Sequence, residues 1–213
     1  MGLGFACGAR YSIALGLQTL DRVVASVDNS AITRNDIEIA YGFALILDGK
    51  MPEATPDDAT REAVRNRQID QLLLLREADT EGIPGTAPGH APEDALADIR
   101  KKFGNEEKYE TALRSLQMNE PMIIERLRNR LRILLLIDQR LRPSARVEPP
   151  DIEDYYKKNL VPELARRSAG PPPPLPELEN QIREILTQKK IDQLLTTWLE
   201  NLKASHRVGL HPF

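Results

Sequence analysis

The side chains able to carry out chemistry are few, and their spacing limits what each can do. Cys7 is the single cysteine, so the chain forms no intramolecular disulfide and no cysteine-based metal site. His90, His206 and His211 are scattered, without the paired spacing of a metal-ligand set, and read as surface histidines. No serine or cysteine lies in a nucleophile motif, and no glycine-rich loop has the spacing that cradles phosphate. The acid pairs Asp57-Asp58 and Glu106-Glu107 fall at predicted helix starts, where negative charge complements the helix dipole. Tyr155-Tyr156 reads either as a platform for a bound peptide or as packing at a helix junction. This inventory points to no catalytic residue, no cofactor and no metal, and leaves a protein that works by interaction.

Charge narrows the partners. With 29 basic and 32 acidic residues the net charge is only -3, and the two signs are interspersed. Nucleic-acid binding needs a basic stripe or patch. The one basic excess, Arg126, Arg128, Arg130 and Arg132, is spaced by two and spreads around its helix. No stretch approaches the length of a transmembrane helix, so membrane association is not indicated. Residues 1–19 are small and mildly apolar, with no positive start and with Arg10 interrupting the run; they read as a disordered leader or a weak or truncated export signal.

The elements that hold these residues are mostly helical. Arg22 to Val27 is a β-branched strand, Asp28-Asn29-Ser30 supplies the positive φ of a tight turn, and Ala31-Ile32 returns as a short strand. Thr33 with Asp36 three residues on has the form of a capping box. The helix it opens is expected to reach Asp48, with Ile37, Tyr41, Ala44, Leu45 and Leu47 facing inward and Gly49 and Pro52 ending it. A second helix runs from Pro56-Asp57-Asp58 to about Glu81, stopped by Gly82 and Pro84-Gly85. Short helices follow from Pro92 to about Phe103 and from Glu106 to Ser115. The next helix, Asn119 to about Leu141, is apolar on all sides at Ile133 to Ile137 and is expected to run through the centre. Pro149-Pro150-Asp151 opens a short helix to about Asn159. Residues 160–176, with Gly170 and four consecutive prolines, read as a polyproline spacer and not as helix.

The last helix, Glu177 to Ala204, has two apolar faces. Leu178, Ile182, Ile185 and Leu186 share one side; Leu194, Leu195, Trp198, Leu199 and Leu202 share another, about half a turn away. It either kinks near Gln188-Lys189-Lys190 or serves two partners. The tail Arg207 to Leu210 is too short to stand alone and is expected to pair with Val23 to Val27, with the Trp198 helix beneath.

In this order the segments resemble a known family. Leu20-Asp21-Arg22-Val23-Val24-Ala25-Ser26-Val27-Asp28-Asn29 followed by Ile32-Thr33-Arg34-Asn35-Asp36-Ile37 is similar to the start of the SurA-type chaperone domain. Ile69 to Ala78 resembles that family's second helix, and Val147 to Tyr156 the segment leading into its parvulin-type prolyl isomerase domain. Ile182 to Leu202, ending in Val208, resembles the helix and strand that follow the isomerase and return to the N-terminal module. The resemblance implies a mainly α fold: a multi-helix chaperone module with a small β-sheet made by an N-terminal hairpin and a C-terminal strand. Residues 20–159 form its first part, 160–176 a proline-rich linker, and 177–213 the completing helix and strand. It also implies a periplasmic holdase for unfolded secreted or outer-membrane polypeptides.

Between Asn159 and Glu177 there is no room for a parvulin domain, so the isomerase is expected to be absent. A holdase needs an exposed apolar groove in a rigid frame. Tyr41, Phe43, Ile46 and Met51 are the candidate peptide-binding residues, each with a place in the core as its alternative. A scaffold or complex-assembly role in the cell envelope, and an isomerase relative with residual activity, are the other readings.

Overall fold

Two short β-rich segments far apart in sequence meet in the computed structural model, which describes residues 21–52, 55–86, 91–167 and 172–213. Strand β1 (Val23–Val27) turns through Asp28-Asn29 into β2 (Ser30–Thr33), and β3 (Val208–Leu210) adds to the other side of β1. The order is β2-β1-β3, and both pairings are antiparallel. Val27 lies opposite Ser30 across the turn and opposite Val208 across the other edge. Asp28 carries the turn at φ 51°, the left-handed region that Asp and Asn tolerate better than most residues. The pairing of the tail with the first strand is therefore as expected from the sequence.

The helices follow in order: α1 (Arg34–Leu47), α2 (Asp58–Thr80), α3 (Pro92–Phe103), α4 (Glu106–Ser115), α5 (Glu120–Leu141), α6 (Pro149–Tyr155), α7 (Val161–Arg167) and α8 (Leu175–Ser205). Their starts are set locally. Thr33 and Asp36 form the capping box of α1, and Asp57, Asn105 and Asn119 each accept a backbone N–H from the first turn of α2, α4 and α5. Gly104 ends α3 at φ 76°. Of the acid pairs, Asp57 caps α2, Asp58 pairs with Arg61 at 2.8 Å, and Glu106 pairs with Arg100 at 3.1 Å.

Helix α5 is the spine. Ile123 and Leu127 enter a cluster with Ile46, Ile99, Phe103, Tyr109 and Leu113. Leu136 enters a second with Val24, Val27, Ile37, Leu73 and Leu202, and Leu141 a third with Ile191. The apolar run at its middle is not buried all round: Leu136 is fully buried, but Leu134 is 54% exposed. Tyr109 shows the depth of the first cluster. It meets Phe103 edge to face at 5.8 Å, and burial pushes its hydroxyl up to about 12.

Helix α8 runs unbroken and serves two partners. Ile182, with Leu178 and Leu186, packs on Val147 and Ile152; Leu195, Trp198, Leu199 and Leu202 pack on the sheet cluster. Ile185 lies outside the first face, 41% exposed. Trp198 carries the Arg140 guanidinium 4.4 Å above its ring, and Arg140 also reaches Glu77 at 3.1 Å, so one arginine joins α5, α2 and α8. The main helical support of the strands is α2, whose Val64, Leu73 and Ala78 share a cluster with Val24 and Val27.

The spacer reading of residues 160–176 needs correction. Helix α6 continues through a π-helical turn, Tyr156–Leu160, directly into α7. Pro162 follows the π-helical turn, where the regular i→i−4 ladder is already interrupted and the Val161 amide donates to the Tyr156 carbonyl five residues back, so the proline is met where the helix is locally widened. Just before α8 the backbone is extended, with Pro174 at φ -64° and ψ 148°, and α8 begins at Leu175, ahead of Glu177. Gly170 and Pro171 lie outside the described residues, as do the leader 1–19 and His90. Tyr155 and Tyr156 are taken up in packing this junction: Lys189 sits 4.6 Å over the Tyr155 ring, and the Tyr156 hydroxyl donates to the Pro173 carbonyl at 2.9 Å.

The two ends of the described chain are locked at Asp28. Its carboxylate accepts from the Arg207 amide at 3.0 Å, sits 2.8 Å from His206 Nδ1, and pairs with Arg76 of α2. Arg76 also donates to the Val27 carbonyl at 3.0 Å and the Ser30 hydroxyl at 2.9 Å. The Asp28 amide donates to the Arg207 carbonyl at 2.8 Å, and the His211 amide to the Val24 carbonyl at 3.0 Å, extending the ladder at both ends. The Arg207 amide, then His206, hold the Asp28 carboxyl down at about 2.

Removing residues after Lys203 is expected to lower the thermal midpoint by roughly 5 °C or more, given the size of the chain. An unchanged midpoint in heat and in urea would make α8 an appendage. The Asp28 contribution has a defined sign. A carboxyl lowered on folding stabilises above its unfolded value, near ~3.9, and loses that effect as pH falls towards about 2. The stability deficit of Asp28→Asn, read from urea midpoints, should therefore be full at pH near neutrality and shrink below pH ~4. A deficit independent of pH would mean that the charge of Asp28 contributes nothing.

Candidate functional site

A cavity of about 800 Å³ opens between α1, α2, the first half of α5 and strand β2. Each helix presents a stripe to it at helical spacing: Ala40, Phe43, Ala44 and Leu47 from α1, Val64, Gln68, Leu72 and Leu75 from α2, and Met122, Arg126 and Arg130 from α5. Two of the four α1 positions are alanines, too short to fill the gap to α5. A neighbouring cavity of about 660 Å³ lies between the end of α1, α3 and α5, lined by Pro92, Ala95, Ile99, Leu131 and the exposed Leu134. Ala44, Leu47 and Arg130 line both. Together they form an apolar trough along the gap between α1 and α5.

The charges in the first cavity are arranged unevenly. Its carboxylates are Asp36 and Glu125. Asp36 accepts from the Thr33 amide and hydroxyl, both at 2.9 Å, and Glu125 is paired with Arg128. Its guanidinium groups belong to Arg67, Arg126 and Arg130, and none of the three forms an ion pair among the described residues. Arg126 is half-buried with its guanidinium 5.7 Å from the Phe43 ring. Burial holds it below the usual arginine range, and the Asp36 charge opposes that shift.

The four candidate residues do not gather in one place. Phe43 lines the cavity. Ile46 is fully buried in the α3–α5 cluster and Met51 packs, half-buried, against the same cluster. Tyr41 packs against the sheet cluster on the opposite side of α1. Ile46 is therefore core, as its alternative reading had it, and Phe43 alone of the four faces the trough. Sequence reasoning missed Leu72, Leu75, Met122 and the three arginines. A signal was present: positions 40, 43, 44 and 47 form one helical stripe, with its middle thinned by alanine.

Other chemistry finds no support in the described residues. They contain no cluster of three or more histidine, cysteine or acidic side chains fit to hold a metal ion. His206 is engaged with Asp28. The arginine row of α5 disperses, with Arg128 on Glu125 and Arg132 on the Ile83 carbonyl at 3.0 Å. Among the described residues no helix is long and apolar enough to cross a membrane. No family model and no curated protein matches the chain.

The division between core and trough has a measurable consequence. Ile46→Ala is expected to cost about 2–4 kcal/mol in urea unfolding, the range for deleting a fully buried aliphatic side chain. Met122→Ala, 39% exposed at the trough mouth, should cost less than about 1 kcal/mol. Equal costs would place both residues in the core and close the trough.

Proposed function

We propose that this chain is a holdase-type chaperone that binds unfolded secreted or outer-membrane polypeptides in the trough between α1, α2 and α5, without an isomerase domain of its own. The observation that carries this reading is the open apolar trough held in a frame tied at both ends. The frame is stiff because α5 threads three of the hydrophobic clusters and Asp28 joins hairpin, α2 and tail. The trough floor is made of aliphatic and aromatic side chains, with arginine, glutamine and asparagine side chains interspersed along its walls, which suits extended chains of varied sequence. The order of segments resembling the SurA-type chaperone points the same way and adds the periplasm as compartment.

Mechanistically, such a site shields apolar side chains of a client from other clients, and many weak contacts allow release. No prolyl isomerisation is assigned to it: in the SurA-type proteins that the segments resemble, the isomerase follows the part matched by Val147 to Tyr156, and here only a short stretch that includes α7 separates that part from α8.

The test is light scattering of an outer-membrane β-barrel protein diluted from urea. The full chain in several-fold molar excess is expected to slow aggregation, and to leave prolyl isomerisation of a model peptide at its uncatalysed rate. Failure to slow aggregation would favour the scaffold role, and isomerisation that survives repurification would return the enzyme reading.

A further inference from the structure

Three arginines stand around an apolar floor, none of them in an ion pair among the described residues. Arg67 reaches the cavity from α2, and Arg126 and Arg130 from α5, one turn apart on one helix face. Of the two carboxylates at the same cavity, Glu125 is paired with Arg128, and Asp36, bonded by Thr33, lends its charge to Arg126, so the three guanidinium groups still outnumber the carboxylate charge left to them. The partial burial of Arg126 costs hydration, and a stacked phenyl ring returns only part of it. A ligand that brings negative charge is thus favoured over a neutral one and strongly over a cationic one.

The rim adds a second, independent feature. Strand β2 is an edge of the sheet, and Ser30, Ala31 and Ile32 border the same cavity. Val27 and Ser30 close the two-residue turn as the hydrogen-bonded pair, so the next pair, Ser26 and Ala31, is the non-bonded kind. The Ala31 N–H and C=O therefore point away from β1, along the open edge beside the cavity. A free strand edge recognises main chain. A fatty acid has an apolar body and a carboxylate but no groups to pair there, and an extended polypeptide has all three.

We propose that the cavity takes an extended apolar polypeptide segment carrying aspartate or glutamate, its carboxylates meeting Arg67, Arg126 and Arg130 and its main chain pairing with the edge at Ala31. This rests on the chaperone reading and assigns that site a charge preference: segments in which apolar residues alternate with acids are held, and their lysine counterparts are rejected.

The experiment uses the full chain and a fluorescein-labelled decapeptide alternating leucine or valine with glutamate, its lysine-for-glutamate counterpart, and the glutamate peptide N-methylated at alternate residues. Fluorescence anisotropy should show the glutamate peptide binding at least ~10-fold tighter than the lysine peptide, with the gap narrowing at high salt. N-methylation should weaken binding by about 10-fold through loss of edge pairing. The triple variant Arg67→Gln, Arg126→Gln, Arg130→Gln should bind both charged peptides alike. Arg67→Gln with Arg130→Gln, both exposed positions, gives the same test at reduced size if the triple variant does not fold. Equal binding of the two charged peptides, or a preference that survives the substitutions, overturns the proposal. So does an N-methylated peptide that binds as well as the parent, and so does saturation by dodecanoate without peptide binding. Aggregation assays on the same preparations separate the two levels. Suppression without charge preference leaves the holdase and removes this inference; charge-selective peptide binding without suppression does the reverse.

Discussion

The constraint on which the rest of the structure depends is the closure of the last strand onto the first hairpin at Asp28. A two-stranded hairpin is marginal alone, and a three-residue tail would leave its backbone groups unpaired. The Asp28 carboxylate removes both difficulties at one point. It receives the Arg207 amide, contacts His206 and neutralises Arg76, whose guanidinium in turn fastens the Val27 carbonyl and the Ser30 hydroxyl. The interaction is local in space and very long-range in sequence, so it ties the ends of the described chain into one cooperative unit.

That closure determines the path of α8. Because its C-terminal turn must reach the hairpin while its N-terminal half covers α6, its apolar surface has to change sides along its length. From Ile182 to Leu202 the helix turns through a net of about half a turn, and it does so without a kink. Helix α5 plays the complementary part, feeding Leu127, Leu136 and Leu141 into separate clusters. With α2 clamped between sheet and α5, and α3 and α4 filling the far end, the frame leaves a gap along α1 and α5. The alanines at positions 40 and 44 keep it from filling. A rigid frame around an unfilled apolar gap is the physical form of a site for partners of variable shape, since the gap exists before any client arrives.

Much of this was legible in the sequence because it rests on short-range rules. Thr33 with Asp36, Asn105 and Asn119 announce helix starts through side-chain oxygens placed to receive orphan amides. Gly104 announces a stop through the left-handed conformation it alone adopts without strain. The hairpin follows from β-branched residues on both sides of Asp28-Asn29. The segment after Tyr156 was misread because its prolines dominate the composition, yet Pro162 follows a π-helical turn that has already interrupted the regular ladder, and the helix-forming Leu164-Ala165-Arg166 follows it. Composition averages over positions, and proline acts by position.

What the sequence by itself determined is the hairpin, the helices other than α7, most of their ends, the two-faced character of α8 and the need of the tail for a strand partner. What only the tertiary structure decided is which apolar face meets a neighbour and which meets a void. Ile46 and Leu47 are adjacent in sequence and alike in hydropathy, but one is fully buried against α3 and α5 while the other, half-buried at the edge of the same cluster, lines the trough. The physical reason is geometric. An amphipathic pattern says that a face is withdrawn from water, and a turn of about 100° between neighbouring residues points them at different things. Whether those things are side chains or empty space depends on the distance between α1 and α5, which is set by contacts that neither helix carries in its own sequence.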